Sequence, residues 1–275
     1  MRSLRRSGRG ISEIVGALML VLIVVVAATS LAVFVAQYQK QLQAQQALTH
    51  NRQLENLGIL HVTPFVPAGA SAWVSLNITV SSLDVNPSVV DEITINDQPV
   101  KQYTVWELNL GTGNFSSQVV PGGGTLNLSG TEQVNVNVSF NQSSPSFSFY
   151  SPTFAIPLTS YLKIDLLTGL QNDFTRAFIP PTAVAVIDPL VTFNGTAYNT
   201  VPVLDGSSSF QAGNSSIIGW SWFVVPIGGA GAFPLFGEKV VLNASVPPPL
   251  VTYNITLTVT DTDGLVGQAV TSYTT

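Results

Sequence analysis

"IVGALMLVLIVVVAATSLAVFVA", residues Ile14–Ala36, is an apolar run of 23 residues interrupted only by Gly16, Thr29 and Ser30. A helix needs about 20 such residues to cross the hydrocarbon core of a bilayer, so this run is long enough to span. A helix that is apolar around its whole circumference must be buried in lipid or against other helices. Gly16, Ala17, Ala27, Ala28, Ser30 and Ala32 are small enough to permit close helix approach, a common basis for association without water. Arg2, Arg5, Arg6 and Arg9 precede the run and only Lys40 follows closely, which predicts an N-terminus inside the cell and everything after Gln37 outside. A secretory signal has a shorter apolar region, about 7–15 residues, before a small-residue cleavage site. Ala28-Thr29-Ser30 would be that site if the segment were an ordinary signal.

Past the run, "QYQKQLQAQQALTHNRQLENLG" (37–58) lacks proline and is rich in Gln, Leu and Ala, all good helix formers. Tyr38, Leu42, Leu48, Leu54 and Leu57 give it a sparse apolar stripe, and Gly58 suits a helix terminus. One helix is expected from Ile11 to Leu57. From Val62 onward the period changes to two. In "WVSLNITV" (73–80) Val74, Leu76, Ile78 and Val80 alternate with polar residues, and "EQVNVNVSF" (132–140) does the same, the pattern of half-buried strands. "YLKIDLLTGLQNDFTRAFIP" (161–180) reads as strand, turn and strand. Pro180-Pro181 reads as a linker. The expected fold is α+β: a long N-terminal hydrophobic helix, then two antiparallel β-sandwich domains, 58–180 and 181–275.

Composition removes several classes of chemistry. The chain has no cysteine, hence no disulfide, thiolate nucleophile or thiolate metal site. After Gly10, six Lys/Arg face fifteen Asp/Glu, a formal net charge of −9. Such a surface is a poor partner for nucleic acid, whose binding depends on cationic contacts with phosphate. His50 and His61 flank the end of the helix, where solvated or locally bonded side chains explain them without a metal. Asp205, Asp261 and Asp263 offer carboxylates, yet calcium takes about six to eight oxygens and a short Asp-Gly turn accounts for each. No catalytic residue, cofactor or metal site is assigned, and no enzyme activity is expected.

The stretch "GRG-ISEIVGALMLVLIVVVAATSLAVFV" resembles the class III signal and N-terminal helix of archaeal type IV pilins and related filament proteins. The likeness covers roughly residues 5–45. It implies that a membrane prepilin peptidase cuts between Gly10 and Ile11, removing leader residues 1–10 and keeping 11–57 as a helix that is transmembrane before assembly and filament core afterwards. Bacterial pilins place a glutamate at the fifth mature position, where it pairs with a neighbour's free amine. Glu13 would be third, and is the candidate for an inter-subunit ion pair. The C-terminal region is similar to the polycystic-kidney-disease (PKD) type of immunoglobulin-like domain, through Asp205-Gly206-Ser207, Trp220-Ser221-Trp222 and Thr260-Asp261-Thr262-Asp263-Gly264. It departs from that type at Trp222-Phe223-Val224-Val225-Pro226, where many members carry Trp-Asp-Phe-Gly-Asp-Gly.

Nine Asn-x-Ser/Thr sequons lie at Asn77, Asn114, Asn127, Asn137, Asn141, Asn194, Asn214, Asn243 and Asn254, all in the region expected outside the cell. They are candidate N-glycosylation sites, although strand alternation also produces the pattern. Together these features imply a subunit of a cell-surface filament, assembling with its copies or other pilins through membrane machinery and exposing β-domains for adhesion. The alternatives are a single-span surface protein that binds a partner such as a motility-motor or surface-layer component, and a solute-binding protein with a class III signal.

Overall fold

The computed structural model describes residues 7–67, 70–109, 114–193, 195–196, 198–228, 231–242 and 251–274; the side chains of 7–12, 108–109, 114–115, 192 and 198–199 lie outside that description. The fold is α+β, one long helix followed by four antiparallel sheets. Two compact units result, the first ending at Leu54 and the second running Glu55–Thr275.

The helix, α1, spans Ser7–Leu54, 48 residues. At the α-helical rise per residue its length is about 72 Å. Its large apolar side chains from Ile14 to Val35 are exposed by 43–67%. The hydroxyls inside this segment are satisfied by the preceding turn. Thr29 Oγ1 donates to the Val25 carbonyl at 2.9 Å. Ser30 Oγ donates to the Val26 carbonyl at 2.7 Å. Neither needs water or a neighbour. Leu57 and Gly58, expected to close the helix, instead open the first strand, and α1 stops at Leu54. The reason is tertiary. Glu55 accepts bonds from Thr168 Oγ1 (2.7 Å) and Asn172 Nδ2 (2.9 Å), Asn56 accepts from the Leu83 amide (2.8 Å), and Leu57 is buried.

The first β-domain contains β1 (Leu57–Phe65), β2 (Ser75–Ser82), β3 (Ser88–Ile95), β4 (Gln98–Pro99), β5 (Tyr103–Asn109), β6 (Asn114–Val120), β7 (Leu126–Leu128), β8 (Gln133–Ser139), β9 (Leu162–Thr168) and β10 (Asp173–Phe178). One sheet runs β1-β2-β8-β5-β6; the other runs β10-β9-β3-β4, with β7 also on β3. The alternation in the sequence decides what fills the space between. Leu76, Ile78 and Val80 from β2 and Val134, Val136 and Val138 from β8 meet Ile93, Ile95, Leu162, Ile164 and Leu166 in one core. An aromatic group continues it, with Phe149 stacked on Phe140 at 5.1 Å and 4.5 Å from Phe154 between ring centroids. Such ring pairs add to the burial of their area. They anchor the Ser/Pro-rich connection between β8 and β9. Arg176 joins the sheets at one edge, donating to the carbonyls of Ile59 and Leu60 at the bulge in β1. Its guanidinium lies 4.7 Å above the Phe178 ring, where the ring's negative face attracts the cation.

The second β-domain contains β11 (Val186–Phe193), β12 (Tyr198–Asp205), β13 (Ile217–Pro226), β14 (Phe233–Phe236), β15 (Lys239–Val241), β16 (Thr252–Asp261) and β17 (Val266–Thr274). Its sheets are β11-β12-β15 and β14-β13-β16-β17, around a separate core of Leu204, Trp222, Val224, Leu242, Tyr253, Ile255, Leu257 and Val259. Trp222 is fully buried, and its Nε1 donates to the Gly237 carbonyl at 2.9 Å.

Pro180-Pro181 is a packed joint rather than a free linker. Pro181 is buried, Thr182 and Phe210 exchange both backbone hydrogen bonds, and a Cβ on Gly267 would lie 1.9 Å from the Pro181 carbonyl oxygen. The β16–β17 turn crosses the joint. Gly264 takes the left-handed backbone conformation there, which glycine adopts without steric cost. The Asp261 carboxylate accepts from the amides of Asp263 (3.0 Å) and Leu265 (2.8 Å). The loop is thereby held so that Leu265 enters the core of the first domain. Beside it His61 Nδ1 lies 3.3 Å from Asp263 Oδ1.

Candidate functional site

Strand alternation puts the polar residues of β1, β2, β8 and β5 on one outer face, and strand register aligns them. One row reads Thr63, Asn77, Asn137, Thr104; the next reads His61, Thr79, Asn135, Trp106. Within the rows Asn137 Nδ2 donates to Asn77 Oδ1 at 2.5 Å and Thr79 Oγ1 to Asn135 Oδ1 at 2.8 Å. These cross-strand bonds fix the amides in place. They leave capacity over. Among the described residues, no protein partner meets Asn77 Nδ2, Asn135 Nδ2, the hydroxyls of Thr63 and Thr104, or the Trp106 indole N–H. Trp106 is 42% exposed, unusual for so large an aromatic side chain.

The face is concave. A depression of about 650 Å³ is lined by Thr63, Asn77, Thr79, Thr104, Trp106, Asn135 and Asn137. Past Thr104 and Asn137 it meets a second hollow of about 320 Å³, walled by Gln102, Val119, Pro145 and Ser146. Among the described residues, no Lys, Arg, Asp or Glu lines either one.

The ionised groups act elsewhere. Asp205 sits 2.6 Å from Lys239 Nζ and accepts the Ser207 amide at 2.8 Å. These bonds, the lysine's first, pull its carboxyl down to about 2, because each favours the charged form. Asp261 is fully buried, and loss of water pushes its carboxyl up despite the two amides that it accepts. Burial pushes Asp165 the same way, but hydrogen bonds from Thr175, Lys163 and Thr94 outweigh it and leave the group below its ordinary value. Asp263 accepts the Ser215 hydroxyl at 2.6 Å. Each of the three aspartates read as calcium candidates, Asp205, Asp261 and Asp263, thus has protein partners of its own. No group of three or more His, Asp or Glu among the described residues is arranged to hold a metal.

Of the residues singled out from the sequence, Gly10 and Ile11 lie within the backbone of α1, and Glu13 is exposed on it. Asn77, Asn127, Asn141, Asn214 and Asn254 are exposed and Asn137 is half-buried. The Asn114 side chain, Asn194 and Asn243 lie outside the described residues. The structure brings Asn77 and Asn137 together and separates Asn127, Asn141, Asn214 and Asn254 from that pair. Thr63, Thr104, Trp106 and Asn135 are not marked by the sequence. Their one signal is position on the polar side of an alternating strand. Comparison with protein-family models finds no match to this chain, and no curated protein is similar to it. The fold itself is clear: an N-terminal helix long and apolar enough to cross a membrane, followed by two β-sandwiches.

Proposed function

We propose that this chain is the structural subunit of a cell-surface filament of the archaeal type IV pilus kind. The observation that supports the proposal is the Ile14–Ala36 stretch of α1, apolar and exposed on every side, with Arg2, Arg5, Arg6 and Arg9 before it in the sequence. Such a surface requires lipid, then or later the same surface on sister copies. On this reading the leader is cut after Gly10, Ile11 becomes the N-terminus, and Glu13 meets the free amine of a neighbouring copy. The PKD-like and preceding sandwiches are carried outside the cell, glycosylated at some of the exposed sequons, and used for adhesion rather than catalysis. Peptidase and assembly machinery act in the membrane, where the subunit waits before polymerising.

Mass spectrometry of the N-terminal peptide, taken separately from sheared surface material and washed membranes, tests this. The expected result is an N-terminus at Ile11 in the sheared fraction, lost on Gly10→Val substitution. An intact Met1 confined to membranes would make α1 an ordinary anchor, and a start near Leu31 would make it a cleaved signal; either result refutes the filament.

A further inference from the structure

We infer that the outer face of the β1-β2-β8-β5 sheet is a binding groove for a linear, uncharged polysaccharide. The inference stands apart from the filament reading, since it rests on the first β-domain alone. Three features of the face select this ligand class.

Chemistry comes first. The groove offers amides and hydroxyls, from Thr63, Asn77, Thr79, Thr104, Asn135 and Asn137, and, among the described residues, no ionised side chain. A phosphate, nucleic acid or anionic headgroup would be left without a counter-charge here. A protein partner would find little apolar area, the Trp106 indole and, at the far end, Val119 and Pro145, whereas interface cores are enriched in apolar area. Neighbouring sugar hydroxyls are both donors and acceptors, and an asparagine amide presents one of each. Trp106 supplies the complement, a flat apolar surface with a polar edge, suited to the C–H face of a pyranose.

Shape is second. Each row takes one position from each of four neighbouring strands, so its hydrogen-bonding groups repeat across the sheet at the strand spacing of about 4.8 Å. The hollow continues past Thr104 toward Gln102 and Pro145. An elongated trough fits several sugar units in line rather than one. Pre-organisation is third. The Asn77–Asn137 and Thr79–Asn135 bonds already hold the amides, so little side-chain freedom is lost when a ligand arrives.

The test uses the full chain in a detergent without a sugar headgroup. Neutral hexasaccharides of glucose, mannose, xylose, galactose and N-acetylglucosamine are titrated by calorimetry and tryptophan fluorescence, with hexagalacturonate as the charged control. Binding of at least one neutral hexasaccharide, weakened tenfold or more by Trp106→Ala and by Asn135→Ala, with hexagalacturonate inert, is expected. Both variants should retain the wild-type unfolding temperature within a few degrees, and Gly10→Val, the variant that tests the filament proposal, should bind as well as wild type. The inference is overturned if none of the five neutral probes binds at millimolar concentration, or if both variants bind as wild type does. It is also overturned if peptide mapping of native protein finds Asn77 or Asn137 carrying a glycan, because the groove would then be filled by the chain's own sugar.

Discussion

Replacing Leu265 by alanine isolates the joint between the two β-domains. Leu265 belongs by sequence to the second domain but lies 1% exposed in the core of the first. Truncating a buried leucine removes its transfer free energy and leaves a cavity, together about 2–5 kcal/mol. The upper half of that range applies where the surroundings cannot collapse. Here the turn is held on one side by Asp261 and on the other by Gly264 against Pro64, where even an added Cβ would come within 3.3 Å of the proline ring. A loss of about 3–4 kcal/mol is therefore expected.

The location of the loss distinguishes this from an ordinary core mutation. Trp73 reports on the first core and Trp222 on the second. Urea unfolding of the full chain in detergent, followed by tryptophan fluorescence, should show one transition for wild type, because opening either domain tears Leu265 from its seat. In Leu265→Ala the transition should split, the first domain melting earlier and the second near its original midpoint. Val270, 70% exposed on β17 just after that turn, serves as control. Val270→Ala should stay within about 0.5 kcal/mol of wild type. A Leu265→Ala loss below about 1 kcal/mol, with a single unchanged transition, would refute the joint as described.

Other outcomes follow from the same contacts. Gly267→Ala, which drives a Cβ to within 1.9 Å of the Pro181 carbonyl oxygen, should lower the unfolding temperature and increase proteolysis between the domains; protease resistance equal to wild type would contradict it. Asp205 titrates at about 2 when folded against 3.8 unfolded, so its contribution is present above about pH 4 and lost as pH falls toward 2. Asp205→Asn should therefore flatten the fall in unfolding temperature across that acid range, and an unchanged slope would count against the Lys239 pairing. Asp261, raised by burial, has the opposite sign: it favours the folded state as pH falls through its folded value.

What is legible in the sequence is local. The apolar run specifies α1, and the alternations in 73–80 and 132–140 specify β2 and β8 with Leu76, Ile78, Val134 and Val136 inward. What stays hidden is every feature set by a distant partner. Helix propensity favours continuing to Leu57, but Thr168 and Asn172 capture Glu55 from more than a hundred residues away. The Pro180-Pro181 pair reads as a break, and contacts from distant residues, Phe210 bonded to Thr182 and Gly267 against the Pro181 carbonyl, make it a joint. Asn77 and Asn137 are visible as polar-face residues. That they stand opposite one another, with Thr104 and Trp106 alongside, depends on the order β2-β8-β5, which alternation along one strand does not encode.

The way the chain enters its head decides how that head carries tension. Leu57 begins β1, an edge strand whose antiparallel register with β2 runs from Leu57 opposite Ser82 to Phe65 opposite Ser75. Antiparallel hydrogen bonds lie across the strands, so a pull along β1 from its helix end strains the whole ladder at once instead of peeling it pair by pair. Arg176 clamps the carbonyls of Ile59 and Leu60 in the same stretch, and Glu55 ties the chain just ahead of it. The attachment is a shear lap rather than a zip. A load directed along β1 from Leu57 should therefore meet a high rupture force, and Arg176→Ala should lower that force in single-molecule pulling.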